Sequence, residues 1–373
     1  MITNLMGKWW FRALGGSGVF AIAIALVITI VAAFGSATDV RIAMTFLINL
    51  VLVLGLQTYI GNTGIISFGH VSFMALGAYG SALFSASPEV KAQAIPNAPS
   101  LVLSASLSFL PATFIGVLVA VAVALVIGLA IVRLTGAAAS VATLGLLVVV
   151  FTILSNSEWL TRGSKAFSGI PPFTTLGWAL FAVVLCLAAA RLLRDSNLGL
   201  CVRSSSEDEL AARASGVNVI GGRLVMWVAS AAMAAVAGSL YAHYVLAILP
   251  KAFYFDLTFL SVTMLIVGGR SVSGAVTGAA SITVMAEFLR RAEYGFSFGS
   301  FSLSEAPGLT TIILGLLIVL ALALRPKGLF GRWEFDELVL RYAGLRSKDS
   351  RVEQSEDRDA KSPSLKDVES VKH

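Results

Sequence analysis

One stretch of the chain combines glycine with polar groups that could bind a solute or hold a proton. Residues 61–80 read GNTGIISFGHVSFMALGAYG, with a Ser-x-Gly-His core at Ser67, Gly69 and His70, and apolar segments flank the stretch on both sides. In hydrocarbon, irregular backbone is tolerated only where it is buried in protein or lines a watery cavity. The stretch therefore predicts either a very close helix contact or a broken helix beside a solute path.

Both interpretations remain open for the individual residues. Glycines at small-xxx-small spacing commonly serve helix packing alone. The candidates for a solute path are Gly64, Ser67, Gly69, His70 and Tyr79. An ionisable residue at membrane depth is a functional hypothesis by default, but a neutral His70 that ties one helix end to a neighbouring carbonyl is an equally serious alternative. For Tyr79 an aromatic residue of the membrane–water girdle is favoured over a gate.

A second segment of the same character runs over residues 267–280 as VGGRSVSGAVTGAA. It adds Gly268 and Gly269 to the candidate path residues. Transporters often place interrupted helices in corresponding positions of two related halves. If the chain consists of two five-helix halves, the two glycine-rich segments fall in or after the third apolar run of each half.

Motifs for nucleotide hydrolysis, zinc proteases or thiol redox sites do not occur in the sequence. GxxxxGK[ST], HExxH and CxxC are all absent. The histidines are scattered, and His243, in the segment YAHY, is expected to be an interfacial residue only. Cys186 and Cys201 lack a metal-type spacing, so neither a metal site nor a disulfide is expected. A membrane enzyme would need a paired acid/base or metal constellation, and the sequence offers none.

The composition predicts that lipid is the solvent of this chain. The 373 residues are 57% hydrophobic and only 13% charged, with a mean hydropathy of +0.86, whereas soluble domains carry about 25% charged residues. The net charge of +6 does not indicate nucleic-acid binding, because the basic residues lie between apolar runs rather than in one stripe. The sequence therefore predicts an all-α polytopic membrane protein.

About ten transmembrane helices are expected, with short, broken glycine-rich helices near the solute path. The apolar runs lie near residues 17–35, 42–60, 67–85, 112–132, 137–154, 176–193, 222–245, 257–270, 272–289 and 308–325. A shorter run at 101–110 is expected to lie in the interface or to cap the outer face. The distribution of Lys and Arg favours an orientation with both termini in the cytoplasm.

The runs divide the chain into three regions. Residues 1–16 are expected to form a basic cytoplasmic lead-in and residues 17–325 the membrane domain. Residues 326–373 are expected to form a cytoplasmic tail that is disordered after about residue 346, because few apolar side chains are present there to bury. Within the tail, residues 333–342 could form a short amphipathic helix.

A charged loop at residues 194–221 interrupts the membrane domain on its inner side. Ser206 and Glu209 stand in a capping-box pattern, which predicts a short helix with the acidic residues 207–209 in its first turn. Gly216 is the expected C-terminal stop. The small residues of this helix would permit the close approach of a partner protein. A solvated connecting helix is the alternative.

The order of several segments resembles the LivM-type permease subunits of branched-chain amino acid ABC importers. The resemblance covers nearly all of residues 40–330 and rests on GNTGIISFGHVSFMALGAY, TRGSKAFSGIP, EDELAARASGVNV, AGSLYAHYVLAILPKAF and RPKGLFG. Arg162 and Lys165 depart from this family pattern, because small or neutral residues are usual at both places. VGGRSVSG is one glycine shorter than the usual pattern.

The resemblance implies a set of partners. The family works as a heterodimer of two related permeases in the bacterial inner membrane, on two cytoplasmic ATPase subunits, with a periplasmic binding protein that delivers the substrate. ATP and Mg²⁺ would bind the ATPase subunits, so no cofactor is expected in this chain. The segment that resembles the family's EAA coupling loop implies a coupling role for Glu207, Glu209, Ala211, Ala212 and Gly216.

The leading functional hypothesis is therefore the import of amino acids, with branched-chain or hydrophobic ones favoured. Permeases for urea and short amides belong to the same family and form a close alternative. An ion-coupled secondary transporter or a channel is an alternative of another class. It would place charged pairs inside the membrane, and few ionisable residues lie within the apolar runs.

Overall fold

The computed structural model describes residues 2–293, 297–298, 301–302, 312–313 and 315–316. Within these residues the chain is almost entirely helical. The helices are α1 Ile2–Phe34, α2 Ala37–Thr63, α3 His70–Ser85, α4 Pro88–Ala94, α5 Ser100–Ser104, α6 Phe109–Ile131, α7 Gly136–Asn156, α8 Glu158–Thr161, α9 Leu176–Asp195, α10 Asn197–Glu207, α11 Glu209–Ala214, α12 Val219–Val245, α13 Phe255–Gly268 and α14 Val272–Glu293.

Short strands add little to this helical architecture. A 3₁₀ helix at Pro250–Phe253 precedes α13. The strands β1 Phe167–Ser168 and β2 Ala247–Ile248 pair antiparallel, as do β3 Ser297–Phe298 and β4 Phe301–Ser302.

Eight of the described helices are long and apolar enough to cross a membrane, which confirms the all-α, multi-pass fold class. They are Ser17–Phe34 within α1, α2, α6, α7, α9, α12, Pro250–Gly268 and Val272–Arg290. The third apolar run corresponds to α3, which has only 16 residues and is therefore about 24 Å long, less than the ~30 Å of the hydrocarbon core. Most of the tenth run, and the whole tail after residue 325, lie outside the described residues.

Helices α2, α3, α6 and α12 pack around a common core. Up to Gly128, the buried residues of α6 are all small and stand at every fourth position: Ala112, Gly116, Ala120, Ala124 and Gly128. Large apolar side chains such as Phe114 and Leu118 are exposed on the other faces of α6. Small residues let helix backbones approach closely in lipid, so the protein-facing side of α6 is the smooth one and the lipid-facing side is the bulky one.

The prediction for the start of the loop helix is wrong. Ser206 does not cap it, because its hydroxyl donates a hydrogen bond back to Arg203 O (2.7 Å) within α10. As a result α10 continues through Glu207, and the N-cap of α11 is Asp208, whose Oδ1 accepts the Ala211 N–H at 3.0 Å. Of the acidic residues expected in the first turn, only Glu209 lies there.

The short apolar run at 101–110 is divided between two helices. Its first residues belong to α5, and α6 begins at Phe109. Lys91 from α4 is fully buried nearby, where its Nζ donates hydrogen bonds to Leu83 O (3.2 Å), Val102 O (2.7 Å) and Ala105 O. Burial lowers the pKa of Lys91. The segment therefore folds around a lysine whose ammonium group binds carbonyl groups at the C-terminal ends of α3 and α5.

Arg162, which departs from the family pattern, occupies an unusual backbone position. Its φ of 66° lies in the left-handed region, which favours glycine over residues with a Cβ atom. The side chain closes the turn by donating from Nη1 to Ala166 O at 2.8 Å. At a position where the family usually has a small residue, this arginine thus stabilises the turn with a hydrogen bond from its own side chain.

Candidate functional site

The predicted break in the glycine-rich stretch separates α2 from α3. Gly64 has a φ of 75° and ends α2, with its N–H donating to Ile60 O. The irregular residues that follow contact α7, where Phe68 N–H donates to Thr143 Oγ1 (3.1 Å) and Ser140 Oγ donates to Ile66 O (2.8 Å). Side chains of another helix thus satisfy backbone groups that the broken helix leaves open, as lipid requires.

His70 connects the start of α3 to α12. The ring is 1% exposed, with Nδ1 2.9 Å from Ser67 Oγ and Nε2 2.8 Å from Ser230 Oγ. The rings of Tyr59 and Trp227 surround it at centroid distances of 5.5 and 5.1 Å. His70 thus ties the start of α3 to a neighbouring helix, as in the second interpretation of this residue. Its partners are serine hydroxyls, however, and not the expected carbonyl.

His243 forms a second connection between the same two helices. It is fully buried, with Nε2 2.9 Å from Ser85 Oγ and Nδ1 2.8 Å from Ser239 O. The expectation that His243 is only an interfacial residue is therefore wrong, because α3 and α12 cover it. Since His70 begins α3 and Ser85 ends it, the two His–Ser contacts also show that α3 and α12 run parallel.

Glycines hold these two helices in very close contact between the histidines. A Cβ atom added at Gly77 would stand 2.2 Å from Ala235 O, and one added at Gly238 would stand 1.9 Å from Met74 O. Tyr79 lies on α3, the helix of Gly77, and its side chain is only 2% exposed. The centroid of its ring lies 6.3 Å from the centroid of the Phe253 ring. The girdle interpretation of Tyr79 is wrong, because girdle residues face the lipid headgroups.

The second glycine-rich segment forms the tight turn between α13 and α14. A Cβ atom on Gly268 would stand 1.9 Å from Gly274 O, and Gly269 has a φ of 111°. Arg270 follows directly. These glycines serve a backbone contact and a turn that side chains would obstruct.

The two glycine-rich segments meet at Arg270. Its carbonyl accepts hydrogen bonds from Gln57 Nε2 (3.2 Å) and from Arg194 Nη1 (3.4 Å). Its side chain covers the end of α2, where a Cβ atom on Gly64 would stand 2.3 Å from Arg270 Nη2. The structure thus brings together Gly64 and the Gly268–Gly269 pair, whereas Tyr79 lies farther along α3.

The predicted coupling residues are divided between two short helices. Glu209 accepts hydrogen bonds from Arg213 (2.6 Å) on its own helix and from Arg223 (2.8 Å) on α12. The hydrogen bond from Arg223 is the main reason that the pKa of Glu209 lies below its ordinary value. Arg223 is buried, so this ion pair attaches α11 firmly to the beginning of the transmembrane helix α12. Sequence reasoning missed Arg223, although its place just after the loop is a usable signal.

The opposite side of α11 is open to a partner. Leu210 is 80% exposed, and Ala211 beside it is exposed too, whereas Ala212 is buried. Gly216, with a φ of 82°, follows the end of the helix, and a Cβ atom there would meet nothing within 4 Å. An exposed leucine among small residues is the kind of surface that a groove on another protein can cover. Glu207 lies apart from this surface, at the end of α10.

A cavity of about 650 Å³ opens at the other end of α2, between α2, α12, α13 and α14. Leu260 and Met264 on α13 contribute an apolar wall, whereas Arg41 and Asn49 on α2 contribute polar groups. Glu287 on α14 also lines the cavity and pairs with Arg290 at 2.8 Å. None of these residues was a sequence-based candidate. The available signal was the presence of Arg41 and Asn49 among the apolar residues of α2.

Comparison with known proteins identifies relatives of this chain. The family model described as the permease component of branched-chain amino acid transport systems matches residues 38–322. The chain is 27% identical over 325 residues to the high-affinity branched-chain amino acid transport permease LivM of Salmonella typhimurium, and 28% identical over 324 residues to LivM of Escherichia coli. Each match covers 78% of this chain and 69% of the relative. No solved structure matches the chain significantly.

Proposed function

The chain belongs to the family of permease components of branched-chain amino acid transport systems, and we propose that it is one of two related permease subunits in an ATP-driven importer. Its multi-pass helical fold and its relatives support this role. The permease itself performs no chemistry. ATP would be hydrolysed on two separate cytoplasmic subunits, and a binding protein on the other side of the membrane would deliver the amino acid.

The observation that carries this proposal is the ion pair between Glu209 and Arg223. It joins the exposed helix α11 to α12, a helix of 27 residues that is about 40 Å long. At its far end, α12 contributes Tyr244 and Val245 to the wall of the 650 Å³ cavity. An ATPase subunit that moves α11 would therefore move a wall of the cavity through one continuous helix.

The cavity has the chemical character that a branched-chain amino acid requires. The apolar side chains of Leu260 and Met264 suit an aliphatic side chain. Arg41 supplies a positive charge for a carboxylate, whereas the negative charge of Glu287 is paired with Arg290 in the same wall. Urea has neither charge nor an aliphatic chain, so this lining favours an amino acid over the related urea substrates.

The proposed orientation places α11 and both termini in the cytoplasm and the 650 Å³ cavity on the periplasmic side. The number of basic residues on the α11 side supports it. We also propose ten membrane spans in two related halves. In this arrangement the shorter α3, together with the irregular residues before it, completes one crossing.

The test of the coupling role is the uptake of radiolabelled leucine by cells that express the whole transporter with variants of this chain. Glu209→Lys places a positive charge against Arg223 and should abolish uptake. Gly216→Trp should do the same, because its bulk lies on the partner-facing side and its backbone conformation disfavours a side chain. Membrane abundance, measured by immunoblot, should stay within about twofold of the parent.

Glu89→Lys is the matched control, because Glu89 is an exposed glutamate of α4 far from α11 along the chain. Its uptake should equal that of the parent. The double variant Glu209→Lys with Arg223→Glu should recover part of the uptake, since it restores the ion pair with reversed polarity. Uptake at the parental rate in Glu209→Lys would refute the coupling role, and competition by urea but not by leucine would refute the substrate.

A further inference from the structure

A second polar cavity, of about 320 Å³, lies at the α11 end of the helices, between the ends of α2 and α9, the α13–α14 turn, and α10. Three arginines line it: Arg194 from α9, Arg203 from α10 and Arg270 from the turn. They come from separate parts of the chain, so only the fold assembles them. The proposed transport mechanism makes no use of this cluster.

Hydrogen bonds within the protein fix the guanidinium groups of two of these arginines, Arg194 and Arg203. Arg203 Nη1 donates to Arg194 O (2.5 Å) and to Asn62 Oδ1 (3.4 Å). Arg194, which is buried, donates from Nη1 to Arg270 O. Preorganised guanidinium groups of this kind suit the binding of a phosphate or carboxylate, because little rotamer freedom remains to be lost.

The lining carries a surplus of positive charge. Glu207 is the acidic residue among the lining residues, so three arginines and one carboxylate give a formal charge of 3 − 1 = +2. The other polar side chains of the lining are the hydroxyls of Ser204 and Ser206, which donate hydrogen bonds to Cys201 O (2.8 Å) and Arg203 O (2.7 Å). A cavity with this charge favours an anion.

The rim of the cavity is apolar where α10 faces outward. Leu200 lines the cavity and is 52% exposed, and Leu198 on the same helix is exposed as well. Helix α10 directly follows the membrane-spanning helix α9, so these leucines lie next to the membrane surface. A basic cavity beside exposed leucines matches a molecule that carries a phosphate on an acyl chain, and basic pockets between membrane helices bind anionic lipid headgroups.

We propose that this cavity binds the phosphodiester headgroup of an anionic phospholipid, with Arg194, Arg203 and Arg270 around the phosphate and the acyl chains against Leu198 and Leu200. This site does not depend on the transport proposal. The lipid would bridge α9, α10 and the α13–α14 turn, and so would hold the base from which α11 projects. A free phosphate ion has the same charged group without the chains, and it is the alternative source of the ligand.

The experiment measures lipid binding to the purified full-length chain in a neutral detergent by native mass spectrometry. The probes are dioleoyl-phosphatidylglycerol and dioleoyl-phosphatidylcholine, which share their acyl chains and differ in net headgroup charge. Phosphatidylglycerol should bind at least about tenfold more tightly than phosphatidylcholine. The thermal unfolding midpoint is also measured with phosphatidylglycerol and with sodium phosphate at the same concentrations. Sodium phosphate should not raise the midpoint as phosphatidylglycerol does.

A charge placed in the cavity tests the location of the site without replacing any of the arginines that line it. Ser204 is exposed on α10 and lines the cavity, so Ser204→Glu should weaken the binding of phosphatidylglycerol at least about tenfold. Ser204→Gln has the same size without the charge and should stay within about twofold of the parent. Arg133→Gln removes an exposed arginine outside the lining and should also stay within about twofold.

Three results would overturn the proposal. Equal affinity for the two lipids would show that the protein does not distinguish the charge of the headgroup. An unchanged affinity in Ser204→Glu, or an equal loss in Ser204→Gln, would place the lipid elsewhere. A stabilisation by inorganic phosphate as large as that by phosphatidylglycerol, lost in Ser204→Glu, would assign the cavity to a free phosphate ion.

Discussion

The α3–α12 contact and the α11–α12 contact hold helices together by opposite means. In the first, neutral side chains and glycines meet: His70 with Ser230, His243 with Ser85, and Gly238 with the backbone of α3. In the second, charged groups meet, as between the partly exposed Glu209 and the buried Arg223. The difference follows from the solvent, because charges are expensive inside a bilayer and cheap at its surface.

The two kinds of contact also differ in how they respond to displacement. A contact between glycine and backbone excludes any side chain, so its geometry is fixed by repulsion. An ion pair between long side chains can follow a moving partner over a few ångströms, because the side chains can rotate. A fixed contact suits the body of a permease, and an adaptable one suits the point where a partner would push. The predictions below test this contrast.

The largest effect is expected for an alteration of the fixed contact. Gly238→Ala places a Cβ atom 1.9 Å from Met74 O, and overpacking of this kind costs about 1–3 kcal/mol. The thermal unfolding midpoint of the purified protein should therefore fall by several degrees. Gly145→Ala on α7 is the matched control, because no atom lies within 4 Å of the added Cβ; it should leave the midpoint unchanged or raise it, since alanine favours helix by up to about 1 kcal/mol. Equal midpoints for both variants would contradict the fixed contact.

A similar or smaller effect is expected for each of the two His–Ser contacts. Ser230→Ala leaves His70 Nε2 without its serine partner, and a buried polar group left unsatisfied costs about 1–3 kcal/mol. Ser85→Ala should act in the same way through His243. Because 15 residues of helix, about 22 Å, separate the two contacts along α3, the double variant should lower the unfolding free energy by the sum of the two effects. A strongly non-additive result would mean that the two contacts form one coupled network.

The smallest effect is expected at the charged surface and depends on pH. The pKa of Glu209 is lowered in the folded protein, mainly by the hydrogen bond from Arg223, so its stabilising contribution is complete above the ordinary value of 4.5. That contribution is lost as the pH falls through the lowered pKa, where protonation weakens the ion pair. A spin label on Leu210→Cys should therefore become more mobile below about pH 4.5.

The control for this measurement is the same label in Glu209→Gln, which has no carboxylate to titrate. Its mobility should be higher than that of the parent at neutral pH and should change less with acid. A transition of the same size in both proteins would assign the acid response to other groups.

The class of the fold followed from the sequence because hydropathy acts locally. Runs of about 20 apolar residues must form helices in lipid, whatever their neighbours are. The break before His70 and the αL stop at Gly216 were also predictable, since glycine determines backbone conformation at its own position. The start of α11 was not, because Ser206 and Asp208 are both good caps, and the local hydrogen bond of Ser206 to Arg203 decided between them.

What the tertiary structure alone decided is which residues meet. The sequence showed that His70, His243 and Tyr79 lie in apolar surroundings, but the same residue can face lipid, water or protein depending on how the helices rotate and pack. The approach of α3 and α12 buried all three. Likewise, Arg270 is far from Arg194 and Arg203 in the chain, and only the packing of α2, α9, α10 and the α13–α14 turn brings their charges into one cavity. Periodicity and composition are properties of a segment, whereas a site is a property of the contacts between segments.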